Sequence, residues 1–250
     1  MTHRRVAWFS CGAASAVAAK LAIESYGDDC AVVSCDTRSS EHPDNYRFAA
    51  EIEAWIGRPI EYIRSDKYAT VDDVFERRRY MSGVSGAICT TELKKLPRLA
   101  WQRPDDVHVF GYTVGEERRA AAFEDHNPSL AVEWVLIERG INKARCLSML
   151  AEAGIALPAM YGLGYEHNNC PGCVKSQSPG YWNQIRRDFP EVFERRVRQS
   201  RLLGVRLVKI RGVRSFLDEL PASERAPHDD IDCGPVCQLP LNFDSPMEAA

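Results

Sequence analysis

The apolar run Arg5-Val-Ala-Trp-Phe-Ser10 ends in Cys11-Gly12-Ala13-Ala14-Ser15 and continues into an Ala-rich stretch reaching Ile23. A buried strand, a turn of small residues and a helix, in that order, require the helix to fold back over the strand, as in a crossover between parallel strands. The alternation then repeats. Ala31 to Cys35 reads as a second strand and Pro59 to Ile63 as a third. Between them Asp44 to Ile56 reads as an amphipathic helix, with Tyr46, Phe48, Ile52, Trp55 and Ile56 inward and Gly57 as its stop. Val71 to Arg78, Glu92 to Trp101 and Gly115 to Phe123 read as further helices, with a strand over Val107 to Tyr112. This order predicts an α/β protein: a twisted, mostly parallel sheet with helices on both faces.

After residue 131 the pattern thins. Val132 to Ile137 reads as one more strand, and Asn142 to Ala153 as a helix capped by Gly154. Ser82 to Gly86 has the composition of a mobile loop. Tyr161 to Gly180 is rich in Gly, Asn and Pro and carries the turn Cys170-Pro171-Gly172-Cys173. Helix over Tyr181 to Leu203 is broken near Asp188, because Pro190 disfavours helix in the residue before it. Pro221 to Pro240 reads as a loop-like tail. The chain divides into an α/β core, 1–175, that includes the cysteine turn, and a helical, cysteine-bearing extension, 176–250, read together as one compact domain.

A net charge of -3 rules out a molecule built as a whole to coat nucleic acid. No run of 18 apolar residues occurs, and Val6 to Phe9 is too brief for a signal-peptide core, so a cytoplasmic protein without membrane contact is expected. In a reducing compartment the nine cysteines read as metal ligands, reactive thiols or packing residues rather than disulfides. Cys11, Cys30, Cys35 and Cys146 sit in apolar or small-residue contexts that suit packing. Cys89, Cys170, Cys173, Cys233 and Cys237 sit among Gly, Pro and polar residues, where chemistry is expected.

The loop has the makings of a phosphate site. Small residues at Gly12, Ala13 and Ala14 let backbone amides approach an anion, Ser10 and Ser15 add hydroxyls, and the helix N-terminus points its positive end at the same spot. The Lys of a Walker loop is absent. Close packing at a crossover is the alternative use of such a turn.

This loop resembles the Ser-Gly-Gly-x-Asp-Ser pyrophosphate loop of the adenine nucleotide α-hydrolase superfamily, in particular its phosphoadenosine-phosphosulfate (PAPS) reductase-like branch. Cys35-Asp36-Thr37 with His42-Pro43-Asp44-Asn45 is similar to the second-strand motif of that branch. Gly111-Tyr112-Thr113 with Glu116 and Arg119 is similar to its fourth-strand motif. Cys89, Lys94 and Pro97, then Cys170 and Cys173, resemble the block of its iron–sulfur members. The resemblance implies a Rossmann-like fold, with an adenine nucleotide held by residues 10–15, Asp36, Thr37, Gly111 and Arg119. It also implies sulfur chemistry, with Lys94 and Cys233 in catalytic roles. The substrate is then a sulfonucleotide such as PAPS or adenosine phosphosulfate, reduced to sulfite with a thioredoxin-like or other thiol reductant. An ATP-using enzyme that thiolates tRNA or DNA, with Mg²⁺, is the alternative, and a non-catalytic nucleotide-binding subunit is a third. A homo-oligomer or a place in a larger assembly goes with each. Two departures stand out: Ala14 replaces the loop's Asp, which tilts away from ATP cleavage, and Thr90 replaces the second Cys of the usual pair.

Cys170 and Cys173 have the spacing that holds zinc or an iron–sulfur cluster, and also that of a redox pair. With Cys89 the metal reading gains ground, and the resemblance favours a 4Fe–4S cluster over zinc. The fourth ligand is open: Cys233 or Cys237 in Cys233-Gly234-Pro235-Val236-Cys237, or none. Asp232-Cys233-Gly234 also resembles the tail that carries the nucleophilic thiol of PAPS reductases. His167 is a further candidate ligand, or a solvated turn residue. Lys94, Lys95 and Arg98 share one helix; they either tune thiolates and phosphates or form a solvated face. The arginines from Arg186 to Arg201, interleaved with Tyr181, Trp182, Phe189 and Phe193, are compatible with a nucleic-acid backbone but read better as the wet side of an amphipathic helix.

Overall fold

The computed structural model describes residues 3–83 and 86–229. The first strand, β1 (Arg5–Trp8), lies at the centre of a five-stranded parallel sheet. Helix α1 (Ala13–Tyr26) leads to β2 (Cys30–Cys35), and α2 (Asp44–Ile56) leads to β3 (Glu61–Ile63). Next come α3 (Val71–Arg78) and the short antiparallel pair β4 (Ser82–Gly83) and β5 (Gly86–Ala87). Helices α4 (Ile88–Thr90) and α5 (Leu96–Trp101) are joined by a π-helical stretch, Thr91–Lys95. The sheet resumes with β6 (Val107–Val109), and α6 (Glu117–His126) leads to its last strand, β7 (Ala131–Glu133).

The strand order is β3-β2-β1-β6-β7, every pair parallel. The chain builds outward from β1 on one side, then returns to build on the other. Loops leaving β1 and β6 therefore diverge at their C-terminal ends, the crevice where open α/β sheets bind ligands. Side chains of β1 alternate: Ala7 and Phe9 join one buried cluster, Val6 and Trp8 the other. Each face of the sheet is thus covered by its own core. Helix α1 is buried almost all round because its Ala side chains let it sit close between the sheet and its helical neighbours.

The remainder is helical: α7 (Val135–Glu138), α8 (Lys143–Glu152), α9 (Ala159–Gly162), α10 (Pro179–Asp188) and α11 (Pro190–Leu203), followed by the hairpin β8 (Val208–Ile210) and β9 (Val213–Ser215). The break at Asp188 falls where Pro190 requires it. Asn142 caps α8, its side chain accepting from Arg145 N at 2.8 Å, and Gly154 follows that helix at φ +71°. Among the described residues no helix is long and apolar enough to cross a membrane.

Three local expectations change. Tyr46 is 52% exposed, with the Arg38 guanidinium 4.7 Å from its ring centre, so it does not belong to the inner face of α2. Ser82 and Gly83 pair with Gly86 and Ala87 as strands rather than forming an open loop. The apolar run Val132 to Ile137 splits into β7 and the one-turn α7, because a short apolar run alone does not distinguish strand from helix.

Candidate nucleotide cleft and cysteine turn

The loop after β1 is held by its own hydroxyls. Ser15 Oγ accepts from Ser10 N at 3.1 Å and from Ser10 Oγ at 3.2 Å, and donates to Gly12 O at 2.9 Å. Asn168 Nδ2 ties the loop down from outside, donating to Cys11 O at 2.7 Å and to Asn45 Oδ1 at 2.8 Å. Cys11 adopts φ +56°, the left-handed region that costs a side-chain-bearing residue about 1–2 kcal/mol. Strain of this kind persists where the surroundings fix the backbone, and here it shapes the loop. The Cys11 thiol itself is 3% exposed and turned into the core, and burial raises its pKa well above the thiol range.

Gly111, after β6, faces the same helix start. A Cβ there would lie 2.6 Å from Ser15 N, 2.7 Å from Ser15 Cα and 2.9 Å from Ala14 C, all backbone atoms. Only glycine lets the two loops close to this distance. With no acidic residue in its first turn, the N-terminus of α1 keeps its partial positive charge directed at the crevice.

A cleft of about 530 Å³ opens above these loops, within the range of small-molecule and cofactor sites. Ser10 and Gly12 to Ser15 form one side, and Gly111 to Glu116 another. Lys94, Arg119 and Lys143 bring three cations to its walls, and Glu41, Glu116 and Glu166 bring three carboxylates. Arg119 pairs with Glu116 and lies 5.0 Å above the Tyr112 ring. Glu116 is fixed in turn by Thr113, whose N and Oγ1 donate at 2.9 and 2.8 Å. Lys143 Nζ donates to Glu166 O at 2.5 Å. Cys170 also lines the cleft, so the cysteine turn borders the same space as the loop after β1.

Asp36 and Thr37 are not among the residues that line this cleft. Asp36 accepts from Arg38 Nε at 2.8 Å and Arg64 Nη2 at 2.6 Å; burial alone would raise its carboxyl, but these bonds hold it down at about 2. Thr37 Oγ1 donates to Glu41 Oε1 at 2.6 Å. Thr37, Cys11, Glu41 and Lys94 line a small recess next to the main opening. The face carrying Lys94, Lys95 and Arg98 is not solvated: these residues are 9%, 7% and 4% exposed.

Cys89, Cys170 and Cys173 all belong to one buried cluster, together with Tyr181, Trp182 and Phe193. The Tyr181 hydroxyl spans the turn, accepting from Cys173 N at 2.7 Å and donating to Cys170 O at 3.5 Å. Arg196, 3% exposed, supports it from behind, donating to Gly172 O at 3.1 Å and pairing with Asp72. The segment after the turn is clasped by the tail: Asp229 Oδ2 accepts from Gln177 N at 2.5 Å, Ser178 N at 2.8 Å and Ser176 Oγ at 3.1 Å. Among the described residues no three His, Cys, Asp or Glu side chains converge as a metal-binding group. Cys233 and Cys237 lie outside the described residues.

Of the basic residues from Arg186 to Arg201, Arg187, Arg195, Arg196 and Arg201 each pair with carboxylates, while Tyr181, Trp182 and Phe193 are buried. That is the amphipathic arrangement. Sequence reasoning passed over Lys143, Glu41, Glu166 and Tyr161, all of which line the cleft. It also passed over Asn168, which is 8% exposed and fastens the loop. Its place two residues before Cys170 was the one available signal.

No family model matches the chain, and no curated protein matches it. Among solved structures it is similar to the phosphoadenylyl-sulfate (PAPS) reductase from Candida auris, determined as a phosphate complex. The TM-score is 0.50 at 10% identity, over 68% of this chain and 82% of that one. The fold is therefore the Rossmann-like α/β fold of PAPS reductase.

Proposed function

We propose that the chain is an enzyme that binds an adenine nucleotide with its anionic tail on Ser10 to Ser15 and performs sulfur chemistry at the far end of the cleft. One observation carries this reading: a single cleft joins the phosphate loop, the cations Lys94, Arg119 and Lys143, and the thiol-bearing residue Cys170. A nucleotide alone would not need the thiol, and a redox turn alone would not need the loop.

The preferred reaction is reduction of a sulfonucleotide. A thiolate, assigned to Cys233 on sequence grounds, attacks the sulfate sulfur. The sulfur–oxygen bond to the phosphate breaks, AMP or its 3′-phosphate leaves, and a thiosulfonate remains. A thiol of the dithiol reductant then attacks that cysteine's sulfur, sulfite leaves with the electron pair, and a disulfide remains to be resolved by the second thiol. Lys94 and Arg119 neutralise charge that builds on the leaving phosphate. The α1 amides hold that phosphate in place and Gly111 keeps the loops closed around it. Cys89, Cys170, Cys173 and Cys237 are the proposed ligands of an iron–sulfur cluster, with zinc the alternative. Their donor chemistry suits either.

A second reading, ATP-driven sulfur transfer to tRNA or DNA, is favoured by the exposed cations of the β8–β9 hairpin. The test is anaerobic incubation with ATP and with sulfonucleotides, followed by mass spectrometry of the nucleotides. Release of sulfite and AMP or its 3′-phosphate with a dithiol supports the first reading. Conversion of ATP to AMP and pyrophosphate only with nucleic acid present supports the second, and consumption of neither contradicts both. Iron and zinc content of the anaerobically purified protein tests the metal assignment, which a metal-free active protein would overturn.

A further inference from the structure

The hairpin formed by β8 and β9 has a charge pattern that its own fold does not explain. Residues 205–216 contain Arg206, Lys209, Arg211 and Arg214 and no acidic residue; all four cations are exposed, and among the described residues Arg211 is the one of them that reaches a carboxylate, Glu224 at 3.6 Å. In the antiparallel register Lys209 lies directly opposite Arg214. Like charges directly opposed across a strand pair destabilise it. Among the described residues neither side chain pairs with a carboxylate; Arg214 donates only to Arg206 O, at 3.3 Å. By contrast Arg201, one element earlier, is held by Asp218 and Glu219.

The backbone presents this pair firmly. Arg211 and Gly212 take φ +47° and +89°, the positive values of a tight two-residue hairpin turn. Val208 and Leu207 are buried and fix one side of the ribbon, while Val213 at the turn is 67% exposed. Lys209 N donates to Gln177 O at 2.8 Å, so the ribbon is bonded to the segment that leaves the cysteine turn. Gln177 is four residues beyond Cys173, a span of at most about 14 Å of chain.

From this arrangement the geometry points to a docking surface for duplex DNA, with the hairpin cations on its phosphates and the cysteine turn alongside. The polymer follows from the shape of the ribbon. The major groove of B-form DNA admits a two-stranded β-ribbon, whereas that of A-form RNA is too deep and narrow. Single strands are held by aromatic stacking platforms. The hairpin offers none, since Phe216 lies under the Arg201 and Arg206 guanidiniums at 3.9 and 5.2 Å. The surface deepens the second functional reading by naming its polymer. It rests on that reading only for the chemistry after docking, because the nucleotide cleft takes no part in the contact.

The experiment is fluorescence anisotropy with a labelled 20-base-pair duplex, on the full chain, at 50 and 200 mM salt. Four phosphate contacts predict a loss of affinity of roughly 100-fold between the two salt concentrations. The double variant Lys209→Ala with Arg214→Ala should halve the salt slope, leaving about a tenfold loss. Its thermal stability should be unchanged or higher, since the opposed charges are gone, and its nucleotide binding in the cleft should be unchanged. No duplex binding at 50 mM salt, an unaltered slope in the variant, or tighter binding of tRNA, single-stranded DNA or an acidic protein than of the duplex would each overturn the proposal. Loss of nucleotide turnover with duplex binding intact would count against the cleft reading and leave this surface standing.

Discussion

Replacing Gly111 with Ala tests whether the closeness of two loops makes the phosphate site. The new Cβ would meet Ser15 N at 2.6 Å and Ser15 Cα at 2.7 Å, where ordinary contact begins at 3.4 Å. Neither atom belongs to a flexible side chain, so β6 and the start of α1 must separate by roughly 0.8 Å, enough to lengthen every hydrogen bond to an anion seated between them. Overpacking of this kind costs about 1–3 kcal/mol. For a chain of this size that corresponds to a fall in Tm of roughly 3–9 °C, measured by circular dichroism. Nucleotide affinity, measured by isothermal titration, should fall by at least about tenfold, the equivalent of one good hydrogen bond to a charged group. Gly12→Ala is the control. Its Cβ would find Ser10 Oγ at 3.8 Å and Ser15 Oγ at 3.9 Å, with the backbone extended at φ -101°, so the fold should tolerate it while the cleft floor is raised. A Gly111→Ala protein with wild-type affinity would refute the reasoning, and so would one as stable as the parent.

Acid should destabilise the protein through His108. Burial pushes its imidazole down to about 4, and Trp8 Nε1 donates to its Nδ1 at 2.9 Å. The unfolded chain takes up this proton near pH 6.5, so stability is fully present above that value and is lost as pH falls toward 4, by at most about 3 kcal/mol. Urea titrations of His108→Gln should show a flatter profile over that window. Arg196→Ala removes the buried partner of Asp72 and of Gly172 O and should cost about 3 kcal/mol in denaturant unfolding, because the buried groups it serves lose their donor. Gly180→Ala would put a Cβ 1.9 Å from Ala226 O and should lift the tail from α10, seen as faster tryptic cleavage after Arg225.

Much of the fold was legible because its signals are local. The strand-loop-helix start and the Pro190 break need only neighbouring residues to act, and both appear where the periodicity puts them. The rest depended on distant chain. Tyr46 fits an inner helical face by spacing, yet Arg38 from the preceding loop covers its ring outside the core. Lys94, Lys95 and Arg98 look like a wet face until the ends of β1 and β2 are placed against them, with Cys35 Sγ donating to Lys94 O at 3.4 Å. Lys143 reaches the cleft only because α8 packs on α1, a contact between segments more than a hundred residues apart. The β8–β9 hairpin was missed because its strands are short and Arg211 stands at a turn position where Gly or Asn is the usual signal.

The most direct measurement of the central claim is an amide chemical-shift titration of isotope-labelled protein with an adenine nucleotide. If the anionic tail rests on the start of α1, the amides of Gly12, Ala14 and Ser15 shift first and furthest, with Gly111 following. Shifts confined to other parts of the chain, or none at saturating nucleotide, would contradict the account.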